Sequence, residues 1–118
     1  MKVLQLMFLA ILGLSLNAQA QKRSDKAVIS TPTIQCGMCK SKIEKTLPRM
    51  TDGITSVQVN VKAKTTTVTW LTDRTNIEEI KTAIANIGYD AGDVTAEETA
   101  YKRLPTCCKK PEDRGEKR

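Results

Sequence analysis

The chain has 118 residues, 19 Lys and Arg against 13 Asp and Glu, no His, four Cys and only 3% aromatic residues. That length suits one small domain with a modest core and excludes a second of ordinary size. Without His there is no Ser-His or Cys-His catalytic pair, and a net charge of +6 interspersed with acids, with few rings to stack on bases, argues against nucleic-acid binding.

At the N-terminus, Lys2 precedes an apolar stretch from Val3 to Leu16 that ends in Asn17-Ala18-Gln19-Ala20. A basic start, a short apolar core and small residues at A-x-A spacing predict a secretory signal peptide over 1–20, cleaved before Gln21. The apolar core is too short for a comfortable bilayer span, so a retained membrane helix is not expected. The protein is therefore expected to be exported, to a periplasm or to the outside. Removing residues 1–20 leaves 98 residues with a net charge of +5. Residues 21–26 read as a linker.

Ala27 to Ile34 is rich in β-branched residues and predicts a first strand, with Pro32 near its end because proline cannot donate to a ladder. Cys39, Ile43, Leu47 and Met50 then recur at helical spacing, with Lys40, Lys42, Glu44 and Lys45 on the solvated side. Thr51-Asp52-Gly53 breaks the helix. Val57, Val59 and Val61 alternate with polar residues, and Thr65 to Leu71 places Thr66, Val68 and Trp70 on one face, predicting a hairpin. Ile77, Ile80, Ala83, Ile84 and Ile87 predict a second amphipathic helix, capped by Thr75 or Asn76 and stopped by Gly88. Tyr89 to about Thr95 reads as a short last strand. The order β-α-β-β-α-β predicts an α+β, ferredoxin-like βαββαβ sandwich: a four-stranded antiparallel sheet with two helices on one face, over residues 27–95.

Between the first strand and the first helix lies Cys36-Gly37-Met38-Cys39-Lys40. Two thiols two residues apart at such a turn can point at a common centre, with Gly37 allowing a tight loop. Thiolates in the first helical turn meet its positive end, and Lys40 stands beside them, so a lowered thiol pKa is expected. Thiolates are soft ligands that favour Cu(I), Hg(II), Zn(II) or Cd(II) over hard ions. The same spacing serves thiol-disulfide chemistry, and export makes a Cys36–Cys39 disulfide a real alternative. Against a thioredoxin-like oxidoreductase, Met38 stands where proline is usual and no Trp precedes Cys36.

Residues 96–118 form a charged tail. Glu97 to Leu104 can make a turn or two of helix before Pro105, and Lys109 to Arg118 reads as disordered. Cys107 and Cys108 lie between them. Adjacent cysteines bridge each other only with strain, so auxiliary metal ligation, pairing with Cys36 and Cys39, or pairing between molecules all stay open.

The Cys36-Gly37-Met38-Cys39 motif after a strand, the Lys-rich helix with Ile43 and Leu47, the hairpin and Ile87-Gly88-Tyr89 resemble the heavy-metal-associated domains of soft-metal chaperones, metal-transporting ATPases and periplasmic mercuric-ion-binding proteins. Ile34 stands where that family usually has Met, two residues before the first cysteine, and keeps an apolar residue of similar size there. The resemblance implies a non-catalytic, monomeric carrier that binds a soft ion, Cu(I) first among the candidates, through Cys36 and Cys39. It also implies delivery to a metal-transporting membrane protein or another Cys-rich acceptor. Tyr89 matches the family position that shields the ion, and Met38, within the loop, could add a thioether.

Overall fold

A computed structural model describes residues 23–114. The predicted signal segment, residues 1–20, lies outside the described residues. The β-branched and alternating runs form β1 (Ser24–Ser30), β2 (Ile54–Asn60) and β3 (Thr65–Leu71). The two apolar stripes form α1 (Gly37–Met50) and α2 (Ile77–Ile87). β1 begins at Ser24, within the stretch read as a linker, and ends at Ser30, before Pro32.

The strands form one antiparallel sheet in the order β1-β3-β2. Ala27 and Val57 both face Val68, and Ile29 and Val59 both face Thr66, so the central strand aligns the buried side chains of its neighbours. On that face Thr66, Val68 and Trp70 are buried. The period-2 pattern of β3 meets the period-3.6 stripes of the helices: Cys39, Ile43 and Leu47 from α1, and Ile80, Ile84 and Ile87 from α2, complete one core. Inside it, the Thr31 and Thr66 hydroxyls hydrogen-bond each other at 3.0 Å, so neither is buried without a partner.

The helix ends follow the residues chosen for them. Asn76 caps α2 by accepting from the Glu79 N–H at 3.0 Å. Gly88 ends it at φ 121°, a backbone region open to glycine.

Among the described residues the sheet has three strands, and the expected fourth is replaced by a turn. Ala91 and Val94 bond each other reciprocally at 2.9 Å around Gly92, which takes a left-handed φ of 59°. The Asp90 carboxylate accepts from Ala96 N–H at 2.8 Å and curls the chain further. One bond from Gly92 N–H to the Ser30 carbonyl, 2.8 Å, reaches the end of β1. Residues 89–95 are thus spent on turning rather than pairing.

The chain then returns across α2. Glu97 donates its N–H to the Ala85 carbonyl at 2.9 Å and opens a short helix, α3 (Glu98–Lys102). Leu104 is buried against Gly88, where an added Cβ would lie 3.0 Å from the Ala100 carbonyl oxygen and 3.1 Å from the Leu104 side chain. A single turn of 3-10 helix (Thr106–Cys108) then packs on α1.

The expected disorder after Cys108 does not begin there. The Tyr101 hydroxyl accepts from the Lys110 N–H at 2.9 Å and donates to the Asp113 carboxylate at 2.6 Å, folding 109–114 back onto α3. One aromatic anchor overrides the charged composition that suggested disorder.

Candidate metal centre

The site begins with the loop joining β1 to α1. The Ile34 N–H donates to the Thr31 carbonyl at 3.2 Å, and the Thr33 hydroxyl accepts from the Asp90 N–H at 3.1 Å. Lys64, at the tip of the β2–β3 hairpin with φ 55°, donates its ammonium to the Ile34 carbonyl at 2.5 Å. These bonds fix the approach to Cys36. The Lys64 brace escapes a local reading of the sequence, because 30 residues separate it from Ile34. Ile34 itself is fully buried, in keeping with a packing role beneath the loop.

Cys36 is the N-cap of α1, in extended backbone, and its carbonyl accepts from the Cys39 and Lys40 N–H groups at 3.1 and 3.2 Å. The Cys36 and Cys39 sulfurs lie 3.8 Å apart. The Cys36 sulfur is partly exposed, whereas Cys39 is buried. The Cys39 N–H favours the Cys36 thiolate most, burial opposes it and the Met38 N–H assists; together they lower the thiol to about 7.

Two expectations about this loop are corrected. Lys40 does not stand over the thiols: its ammonium bonds Glu44 at 2.7 Å and the Val59 carbonyl at 3.1 Å, tying α1 to β2. One residue beyond Cys39, it points about 100° further round the helix, so adjacency in sequence is not adjacency in space. Gly37 is not demanded by a tight loop either. It is the first residue of α1, and an added Cβ would meet nothing within 4 Å.

The C-terminal segment brings the other two cysteines to the same place. The Cys36, Cys107 and Cys108 sulfurs lie within 4.8 Å of one another. All four cysteines are free thiols. The Cys107 sulfur lies 3.5 Å from the Met38 sulfur. Cys108 is fully buried, and burial, the first cause, pushes its thiol up to about 12 with the adjoining Cys39 thiol adding to the effect.

Tyr89 is also fully buried. Its hydroxyl lies beside the Cys108 and Cys39 thiols without completing a directed hydrogen bond to either. Burial first, then those thiols, raise the phenol far above its usual range. The side chain therefore fills the core and presents a neutral O–H to the sulfur cluster.

An α+β layer with two helices on a sheet, carrying clustered soft ligands at a helix N-terminus, defines a small thiol-bearing ion-binding domain. Residues 28–90 match the family model described as heavy-metal-associated domain. The chain belongs to the heavy-metal-associated domain family. It is 34% identical over 89 residues to the mercuric transport protein periplasmic component of Shewanella putrefaciens, spanning 75% of this chain and 93% of that protein. It is 32% identical over 63 residues to the copper chaperone CopZ of Staphylococcus aureus, covering 53% of this chain and 91% of the relative. Among solved structures, the N-terminal soluble domains of Bacillus subtilis CopA superpose with a TM-score of 0.55 at 27% identity, over 59% of this chain and 47% of that one.

Proposed function

We propose that this protein binds a soft metal ion as cargo through Cys36 and Cys39, and sequesters it or hands it on. The supporting observation is the pair of sulfurs 3.8 Å apart at the start of α1, one of them with its thiol lowered to about 7. Two thiolates sharing an ion with metal–sulfur bonds of about 2.3 Å sit about 4 Å apart, so the pair needs little movement to close on it. Donors of this softness select Cu(I), Hg(II), Zn(II) or Cd(II), with Cu(I) the first choice.

The ion is bound and released by exchange of thiolates, with protons leaving and returning to sulfur, and no catalysed reaction is required. In this reading residues 1–20 direct export, in line with the periplasmic relative, and residues 96–118 form an appended Cys-Cys tail. The acceptor is a metal-transporting membrane protein or another Cys-rich protein, a role suggested by the likeness to the N-terminal domain of a potential copper-translocating P-type ATPase from Bacillus subtilis. No helix among the described residues is long and apolar enough to cross a membrane.

The test is native mass spectrometry of the reduced protein under anaerobic conditions, titrated with Cu(I), Hg(II) and Zn(II) against a competing chelator. One tightly held soft ion, lost in the Cys36→Ser, Cys39→Ser variant, is the expected result. Failure to compete for any of the ions, together with a readily exchanging Cys36–Cys39 disulfide, would instead assign the pair to thiol-disulfide chemistry.

A further inference from the structure

The tail delivers two thiols to one spot by a folded route. Glu97 anchors to α2, Leu104 is buried against Gly88, Pro105 breaks the helix, and the 3-10 turn sets Cys107 and Cys108 over the start of α1. The Arg114 guanidinium bonds the Cys107 carbonyl at 3.3 Å and the Lys109 carbonyl at 3.1 Å, holding the turn from outside. Adjacent residues usually point their side chains apart, yet both sulfurs lie within 4.8 Å of Cys36.

We infer that Cys107 and Cys108 are ligands to the ion carried at Cys36, closing a two-thiolate site into one of at least three thiolates. This rests on the soft-ion reading above. Three thiolates around one ion at about 2.3 Å stand about 4 Å apart, so the observed cluster needs only a small contraction. A second observation points the same way. The Tyr89 hydroxyl, fully buried and unpartnered, faces the Cys39 and Cys108 sulfurs, and a buried donor without an acceptor is costly. Metal-bound thiolates accept hydrogen bonds better than neutral thiols, so loading the site gives that hydroxyl its partner.

The ligand exchange balances simply. A divalent ion takes three thiol sulfurs, three S–H protons leave to solvent, and the site ends with one net negative charge, with no oxidant or reductant needed. Cys39, 3.8 Å from Cys36, is the fourth sulfur to which the ion can shift. A tail that must lift before an acceptor's thiols can attack favours holding the ion over releasing it. The appended segment thereby sets the balance between storage and transfer.

The test is X-ray absorption on the full chain loaded with one equivalent of Cd(II), without added thiol, because Cd(II) fills vacant positions with water and so reports the thiolates available. At least three sulfurs per Cd(II) are expected, falling to two in Cys107→Ser, Cys108→Ser, with affinity weakened by about 10-fold or more. The single variant Cys107→Ser, which alters the exposed thiol alone, should weaken Cd(II) binding and shows the effect without disturbing buried Cys108. Two sulfurs in the native chain and the tail variants, lost only in Cys36→Ser, Cys39→Ser, would overturn the tail's role and leave the carrier reading standing. Cd(II) held by Cys36→Ser, Cys39→Ser as tightly as by the native chain would contradict both.

Discussion

Cys36 and Cys108, one from each cysteine pair, carry the same chemistry in opposite surroundings. Cys36 stands at the N-terminus of α1 with its thiol lowered to about 7 by backbone N–H groups, whereas Cys108 is enclosed by the core and pushed up to about 12 by burial. A helix N-terminus stabilises a thiolate before any ion arrives, and an apolar enclosure keeps a thiol neutral until an ion displaces its proton. Cys36 is made to capture. Cys108 can contribute only once the ion's charge replaces the proton.

The largest effect that separates the regions should come from Leu104→Ala. Truncating this buried anchor removes packing against Gly88 and should cost about 2–4 kcal/mol, read as a lower denaturation midpoint in the reduced protein. It should also make Cys108 accessible to alkylation while Cys36 reacts as before. Unchanged stability and a still-protected Cys108 would mean that the tail is held by something else.

Next in size is Tyr89→Phe. Removing a buried hydroxyl that lacks a directed partner should raise the stability of the ion-free protein by about 1 kcal/mol. A loss of similar size would show that the hydroxyl already bonds the sulfurs well without an ion.

Gly37→Ala is smaller. With open space around the position and an ordinary helical role, alanine should stabilise by about 0.5 kcal/mol in chemical denaturation. A destabilised variant would restore the tight-loop reading of Gly37.

The smallest effect tests what lowers the Cys36 thiol. Lys40→Met should cost under about 0.5 kcal/mol, as for other half-exposed i,i+4 ion pairs, and should leave Cys36 alkylation rising with pH through a midpoint near 7. The sign follows from linkage. A thiol held lower in the folded protein than in the unfolded chain contributes stability that is complete above the unfolded value, and that is lost as pH falls through about 7. Metal capture should weaken over the same fall, as protons compete for Cys36. A midpoint that moves up in Lys40→Met would return the lysine to the site.

Much of this was legible in local patterns. Ile43 and Leu47, Ile80 and Ile84, and the alternation through Val68 and Trp70 are set by contacts within an element, and each is buried as its period requires. The missing fourth strand was not legible, because residues 89–95 read equally well as a strand until Asp90 and Gly92 are seen to bend them. Nor could the sequence show that Tyr101 pins the charged segment or that Lys64 braces the loop before Cys36. The Cys36-x-x-Cys39 motif was evident at once. The placement of Cys107 and Cys108 depends on Leu104 meeting Gly88, a contact between residues 16 apart that no periodicity encodes.

The central claim, that Cys36 and its neighbouring thiols hold a soft ion, is tested most directly by an alkylation footprint of the reduced chain, read cysteine by cysteine with mass spectrometry at neutral pH. In the absence of an ion, Cys36 should react fastest. One equivalent of Cu(I) should suppress that reaction, and the same amount of Mg(II) should not. Continued fast alkylation of Cys36 in the presence of Cu(I) would contradict the account.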